Sequence, residues 1–317
     1  MTLPVAEIAS DHGLVVGVDL GGSRLRAAAA TLDGTVLAET DDVTTLSGAA
    51  QLADQIHGAI RAVVGRPASD WSSVASVVVG VPGVPRGDVL LRAPNLPGSA
   101  SGALLARLDA ELDVPVLFEN DANLAVVAER ARGHARGRDD VGFVSIGTGI
   151  GVGAFIAGRL LRGASGGAGE IGDLPFGQRS RDGRHDTLED AAGGAGLARR
   201  FAAESTERRS ASAREIYALA DAGEPRAVRL VADHAAAIAY VVATVTAVLD
   251  CGLVVLGGSI GVRDGVRARV QAHLDEISEH PPELRASRLG NRAGLLGAVD
   301  AARFRLATPR TAAAART

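Results

Sequence analysis

The chain has 317 residues, 47% of them hydrophobic, which is enough for two lobes with separate cores, since single cores stop growing near roughly 250–300 residues. A formal net charge of −4 leaves no electrostatic footprint for nucleic acid or an anionic membrane. All 33 Lys+Arg residues are arginine, so a Walker-type phosphate loop and Schiff-base chemistry are both excluded. The single cysteine, Cys251, excludes an intrachain disulfide and a cysteine-cluster zinc site and fits a reducing cytoplasm. Met1 to Gly13 carries acids and Pro4 where a secretory leader would need basic residues and an apolar stretch.

In chain order, Val15 to Asp19 is a short apolar run ending in an acid, followed by the turn Gly21-Gly22-Ser23. Leu25 to Thr31 is a second strand, Asp33-Gly34 a hairpin signal, and Thr35 to Glu39 a third strand. A helix over Ala49 to Val64, a strand over Val74 to Val79 and a loop over Gly80 to Pro85 follow. Pro94 to Gly98 is a turn, a helix begins near Ser101, and the strand Val114 to Phe118 leads into Glu119-Asn120-Asp121-Ala122-Asn123, where a helix starts.

The opening plan then returns. Val141 to Ile146 is a strand, Gly147 to Gly151 a glycine turn, Val152 to Ile156 a strand, Ala157-Gly158 a hairpin and Arg159 to Arg162 the next strand. Matching order and spacing predict two related lobes. A glycine-rich loop, Gly163 to Gly172, and a polar loop, Gln178 to Asp186, precede a mainly helical region from Leu188. Within that region Ala235 to Leu249 reads as a buried helix, too short as an apolar run to span a bilayer. The strand Leu253 to Leu256 with its turn Gly257-Gly258-Ser259 interrupts the helices, Leu295 to Leu306 is the last helix, and the tail Ala307 to Thr317 is expected to be disordered. Alternating strands and helices with a duplicated hairpin unit mean an α/β fold.

Strands that end in tight glycine turns expose backbone N–H groups which phosphate oxygens can approach closely. Asp19 at the end of the first strand can hold Mg²⁺, directly or through water, and Thr148 offers a hydroxyl to a phosphate. Either turn alone is equally well an ordinary hairpin, and Gly257-Gly258 alone equally well lets a helix pack closely. The cluster at Glu119 to Asn123 says more. An N-cap explains one of its four polar residues, Asn120 or Asp121, but not all four. The functional reading has Asp121 accepting a proton from a sugar hydroxyl while Asn120 fixes a neighbouring one. Glu170 and Glu189 suit vicinal diols as paired carboxylates; as isolated acids they read as surface charges.

Taken together, these motifs resemble the ROK family of bacterial sugar kinases and sugar-responsive repressors. The matching segments are Gly17 to Ser23, Gly80 to Gly83, Pro94 to Leu96, Glu119 to Asn123, Gly147 to Gly151, Gly169 to Gly172, Leu188-Glu189 and Leu256 to Gly258, in family order from about Val15 to Leu306. The resemblance implies the two-lobed actin-like ATPase/hexokinase (ribonuclease H-like) fold, with residues 1–120 and 293–317 in a smaller lobe and 121–292 in a larger one. It implies ATP as phosphoryl donor, with Asp19, Gly21, Gly22, Ser23, Gly147, Thr148 and Gly149 facing the phosphates and Mg²⁺ and Gly257 and Gly258 near the adenosine. Gly83, Asn95, Asn120, Asp121, Asp173, Glu170 and Glu189 would line the sugar pocket, with Asp121 as the base. The implied reaction is phosphorylation of a hexose or amino sugar, with the 6-hydroxyl favoured, by a cytoplasmic homodimer that binds neither nucleic acid nor membrane.

Two departures from the family pattern qualify this. Members commonly have His three residues after the Glu of Gly169-Glu170-Ile171-Gly172; here that residue is Asp173. The cysteine-rich zinc loop that commonly follows is replaced by Gln178 to Asp186, so no structural zinc is expected. His185 with Asp173, Asp182 and Asp186 reads as a solvated loop rather than a metal site. A carboxylate in place of imidazole favours a cationic amino sugar, such as kanosamine or glucosamine. The alternative from another class is the sugar-sensing effector domain of a ROK-type transcriptional regulator lacking its winged helix. Against it, the phosphate turns and Asp121 are intact, and a sensor needs no general base.

Overall fold

The computed structural model describes residues 13–65, 71–87, 89–93, 96, 98, 103–112, 114, 116–179, 185–204 and 210–307. Asn95, most of the turn around it and the tail beyond 307 lie outside the described residues. The chain forms two compact units, Met1–Ala128 with Gly294–Thr317, and Glu129–Ala293.

The first unit opens with the antiparallel strands β1 (Leu14–Leu20), β2 (Arg24–Thr31) and β3 (Val36–Val43). Helix α1 (Ala49–Val64) leads to β4 (Val74–Val81), parallel to β1. The short hairpin β5 (Val84–Arg86) and β6 (Val89–Leu91), helix α2 (Ala103–Glu111) and strand β7 (Val116–Asn120), parallel to β4, follow. The sheet order is β3-β2-β1-β4-β7. Helix α3 (Asp121–Arg132) then carries the chain into the second unit.

Period-two alternation along β1 divides its side chains between two helical layers. Val16, Val18 and Leu20 pack with Leu52, Ile56 and Ile60 of α1 and Leu104, Leu105 and Leu108 of α2. Val15 packs on the other face with Leu124 of α3 and Leu295, Ala298 and Val299 of the C-terminal helix. With both faces covered, the strands read as continuous apolar runs. Gly17 faces that second layer, and a Cβ there would come 2.6 Å from the Val299 backbone nitrogen, so only glycine lets helix and strand approach this closely.

The second unit repeats the plan with β8 (Val141–Ile146), β9 (Ile150–Ile156) and β10 (Arg159–Leu160). The pair β11 (Pro175–Arg179) and β12 (His185–Thr187) leads into α4 (Leu188–Ala192), α5 (Gly194–Ala203), α6 (Ala213–Asp221) and α7 (Pro225–Leu249). Strand β13 (Leu253–Gly257), α8 (Gly258–Gly261), α9 (Val266–Ile277) and β14 (Glu283–Ala286) complete the unit before α10 (Ala293–Ala307). The order β10-β9-β8-β13-β14 has the same pairing senses, two antiparallel and two parallel, as the first sheet.

Four segments differ from the sequence expectation, one of them the unexpected strand β14. The loop at Gly80 to Pro85 runs into the β5–β6 hairpin. The polar stretch at Gln178 to Asp186 contributes to the β11–β12 pair, with 180–184 outside the described residues. Helix α7 starts at Pro225, well before the apolar run, because the Glu224 carboxylate accepts the Ala227 N–H and Pro225 occupies the first helical position. By length and composition α7 could cross a membrane, yet Leu230, Val231, Ile238, Val241 and Val242 are buried in the core of this unit.

Candidate functional site

The carboxyl ends of parallel strands are where open α/β sheets bind ligands. In the first unit β1, β4 and β7 end side by side, with Asp19 in register with Gly80, Gly80 with Glu119 and Val81 with Asn120. The Asp19–Ser23 turn and the Glu119–Asn123 junction therefore lie at the same, carboxyl end of the parallel strands.

The turn is closed by the Gly21 N–H donating to the Arg24 carbonyl at 2.9 Å, and the Thr44 hydroxyl donates to the Gly21 carbonyl at 2.8 Å. Gly22 and Ser23 are exposed. The Asp19 side chain is only 15% exposed and lies 3.5 Å from the Arg26 guanidinium. The first turn of α10 abuts it, since a Cβ on Gly294 would come 2.8 Å from Asp19 Oδ1. Burial outweighs Arg26 and pushes the Asp19 carboxyl up to about 6. A buried carboxylate whose charge is under-compensated suits a cation.

That shift predicts a stability effect. The native state holds the Asp19 proton more tightly than the unfolded chain between the ordinary value of 3.8 and about 6, so stability from this group falls as pH rises through that window. The cost is fully present above pH 6. Asp19→Asn removes it, while Arg26 keeps Asp41 at 3.3 Å. Thermal unfolding is expected to show a higher Tm for Asp19→Asn at pH 7.5 and a gain that shrinks towards pH 4. A lower Tm at pH 7.5 would contradict the assignment.

At the strand–helix junction the Asn120 side-chain carbonyl accepts the N–H groups of Ala122 (2.9 Å) and Asn123 (3.1 Å), so capping falls to Asn120. Its amide donates to the Gly83 carbonyl at 3.0 Å, fastening the β4–β5 turn. Glu119 Oε1 accepts the Asn120 N–H at 3.1 Å and the Asn123 amide at 2.9 Å. Glu119, Asn120 and Asn123 are thus engaged in holding the junction together. Asp121, half-buried at the first helical position, accepts the Ala122 N–H at 2.8 Å. A carboxylate in the first turn of a helix interacts favourably with the helix dipole.

In the second unit the glycine turn after β8 is built into a larger cluster. The Gly147 N–H donates to the Gly149 carbonyl at 3.0 Å, and the first two amides of α5, Gly194 and Ala195, donate to the Gly147 and Thr148 carbonyls at 2.9 Å each. Glu189 Oε2 accepts the Ile150 N–H at 3.3 Å and sits where a Cβ on Gly149 would be. The Glu189 N–H donates to the Gly172 carbonyl at 3.0 Å, and the Gly169 carbonyl accepts from Val152 at 3.2 Å. The Gly169–Gly172 motif is thereby strapped to β9 and tied to Glu189. Glu170 is half-buried on this strap, while Asp173 is exposed just beyond it.

Gly257 pairs with Ser145 across β13 and β8, so the third glycine turn neighbours the second. Gly258 has φ 74°, and a Cβ there would collide with the Ile146 carbonyl. Between these turns, α5, α6 and α8 lies a cavity of about 640 Å³, lined by Gly147, Thr148, Ala195, Tyr217, Ser259 and Arg263 among others. Its volume is in the range of small-ligand pockets. The Arg263 guanidinium lies 5.5 Å from the Tyr217 ring centroid and donates to Asp221 at 2.7 Å.

Tyr217, Arg263 and the Gly193–Ala195 clasp were not anticipated as site residues. One signal was available: the run Gly193-Gly194-Ala195-Gly196 is unfavourable inside a helix, yet a Cβ on Gly194 would come 2.6 Å from the Gly147 carbonyl. No cluster of three or more metal-ligating side chains occurs among the described residues.

The model of the ROK family matches residues 15–304. An N-acetylmannosamine kinase of Citrobacter koseri is 34% identical over 290 residues, covering 89% of this chain and 96% of the relative. A solved ROK hexokinase of Thermus thermophilus superposes with a TM-score of 0.76 at 31% identity, covering 93% of this chain and 100% of that one. A ROK family glucokinase of Streptomyces griseus, solved in complex with glucose and AMPPNP, gives a TM-score of 0.78 at 27% identity, covering 92% and 100%.

Proposed function

The chain belongs to the ROK family, and we propose that it phosphorylates a hexose or amino sugar at the 6-hydroxyl, with Asp121 as general base. It is an ATP-dependent sugar kinase, and the observation that carries this mechanism is the Asp121 carboxylate at the start of α3, which helix capping does not require because Asn120 supplies the cap.

In this reading the cavity of the second unit takes the nucleoside, and the backbone N–H groups and Thr148 hydroxyl of the adjoining turn hold its phosphates. Asn120 and Glu189 orient the sugar hydroxyls, together with Gly83, Asn95 and Glu170, and Asp121 accepts the proton of the attacking hydroxyl. Asp19 is the residue suited to hold Mg²⁺, directly or through water; when bound, the ion offsets negative charge on the transferring phosphoryl group. No structural zinc is part of this proposal. The protein is read as a cytoplasmic homodimer.

The substrate class rests on Asp173. It follows Gly172, whose carbonyl holds the Glu189 N–H, and puts a further carboxylate beside the sugar-binding strap. An ammonium on the sugar is favoured there over a neutral or acetylated nitrogen by simple Coulomb attraction. The test is ADP release with glucose, glucosamine, kanosamine and N-acetylmannosamine. The expected result is the highest kcat/KM for a free amino sugar, with the preference narrowed in Asp173→Asn. A clear preference for glucose or N-acetylmannosamine would reject the amino-sugar assignment.

A further inference from the structure

Helix α4 spans only five residues, far too few to hold itself together, yet it carries Glu189 and leads directly into the α5 clasp on the phosphate turn. A helix leaves its last carbonyls without partners. Here each of the last four is accounted for: Glu189 O accepts the Gly193 N–H at 2.8 Å, Asp190 O and Ala191 O accept from Arg200, and Ala192 O accepts from His234 Nε2 at 2.9 Å.

His234 is fully buried on α7, and its other nitrogen, Nδ1, lies 2.9 Å from the hydroxyl of Tyr217, itself 1% exposed. Because the Ala192 carbonyl can only accept, Nε2 carries the proton, Nδ1 accepts, and Tyr217 donates. Burial, reinforced by the Arg200 charge, pushes the imidazole down to about 4, so this neutral tautomer persists at physiological pH. Both ring nitrogens are then satisfied. Tyr217 is among the residues that line the 640 Å³ cavity, and two residues beyond Ala192 the chain donates into the Gly147–Thr148 turn.

We infer that His234 is a positioning residue for the phosphoryl donor, fixing through Tyr217 and Ala192 the cavity wall and the α4–α5 junction that clasps the phosphate turn. It touches no substrate; it acts by holding two parts of the nucleotide site in register. This rests on the reading of the cavity as the nucleotide site.

The test uses His234→Leu, His234→Gln and Tyr217→Phe, with steady-state kinetics and calorimetric binding of ADP. Leucine strands the Tyr217 hydroxyl and the Ala192 carbonyl in an apolar interior, and the cavity wall and α4–α5 junction shift to re-pair them, a displacement that costs the bound nucleotide about one hydrogen bond, or about tenfold in affinity. His234→Leu is therefore expected to raise KM for ATP and Kd for ADP about tenfold. Glutamine, which can accept from Tyr217 and donate to Ala192, is expected to recover both to within about threefold. A purely structural role would lower kcat through a smaller active fraction and leave KM alone. If His234→Leu does not fold, Tyr217→Phe carries the test, with an expected severalfold rise in Kd for ADP. Unchanged KM and Kd in the folded variants would overturn the inference. A wild-type protein that binds no ADP would instead overturn the nucleotide reading of the cavity.

Discussion

Asp121→Asn is expected to lower sugar-dependent ADP release by about 10²–10⁴-fold, the range a positioned general base contributes. The substitution is nearly isosteric, and its carbonyl can still accept the Ala122 N–H that Asp121 accepts at 2.8 Å. The cap on α3 belongs to Asn120, and the Glu119–Asn123 bond at 2.9 Å is untouched. Tm should therefore stay near wild type, and KM for ATP should change little, because the cavity proposed to take the nucleoside belongs to the other compact unit. A carboxylate that only shaped the helix start would give the reverse pattern, with lowered Tm and preserved kcat. Steady-state kinetics paired with thermal unfolding separates the two.

The second large effect is expected at Gly149. A Cβ there would occupy the position of the Glu189 carboxylate, so Gly149→Ala must displace either that side chain or the turn. Both matter, because Glu189 accepts the Ile150 N–H and the turn is fastened to α5 through Gly147 and Thr148. A displacement of about 1 Å in a reacting constellation costs about 10²-fold in rate. We expect kcat/KM to fall by about that factor in Gly149→Ala. Glu189→Ala should then cost far less in the Gly149→Ala background than alone, since one collision has already disturbed the shared contact. Strictly additive losses would show that the two residues act independently.

Much of the fold was legible because its signals are local. The apolar run at Leu14–Leu20 is read easily since both faces of its sheet are covered, and Val141–Ile146 is buried along nearly all its length. The hairpins at Asp33-Gly34 and Ala157-Gly158 announce themselves through turn chemistry, and Ala157 and Gly158 do adopt the positive φ values, 49° and 71°, of that turn. Strand β14 was missed because its four residues include one buried hydrophobe, Leu284, and alternate too briefly to register. The hairpin at β5 and β6 was hidden by Pro85 and Arg86, which read as loop.

The candidate site is legible in the sequence where its residues are contiguous. Asn120 and Asp121 stand next to each other, and each glycine turn is a short run. The cavity wall was not legible, because Tyr217, Arg263 and Ala195 come from separate helices that meet only in three dimensions. Nor was the role of His234, which periodicity places on the buried face of α7 among Val231, Ala235 and Ile238 and so disguises as core. At Glu119–Asn123 the sequence points to Asp121 as the base but leaves open whether Asn120 or Asp121 caps α3; the hydrogen bonds give the cap to Asn120, with Glu119 and Asn123 bracing the junction.

Phosphoryl transfer from ATP to a sugar is the reaction that every residue role proposed above serves. Phosphorus NMR of the purified protein with Mg·ATP and the sugar panel tests it most directly. A sugar phosphate ester is expected to appear in step with ADP. Saturable sugar binding with no ester formed from any sugar would contradict it and make the chain a sensor.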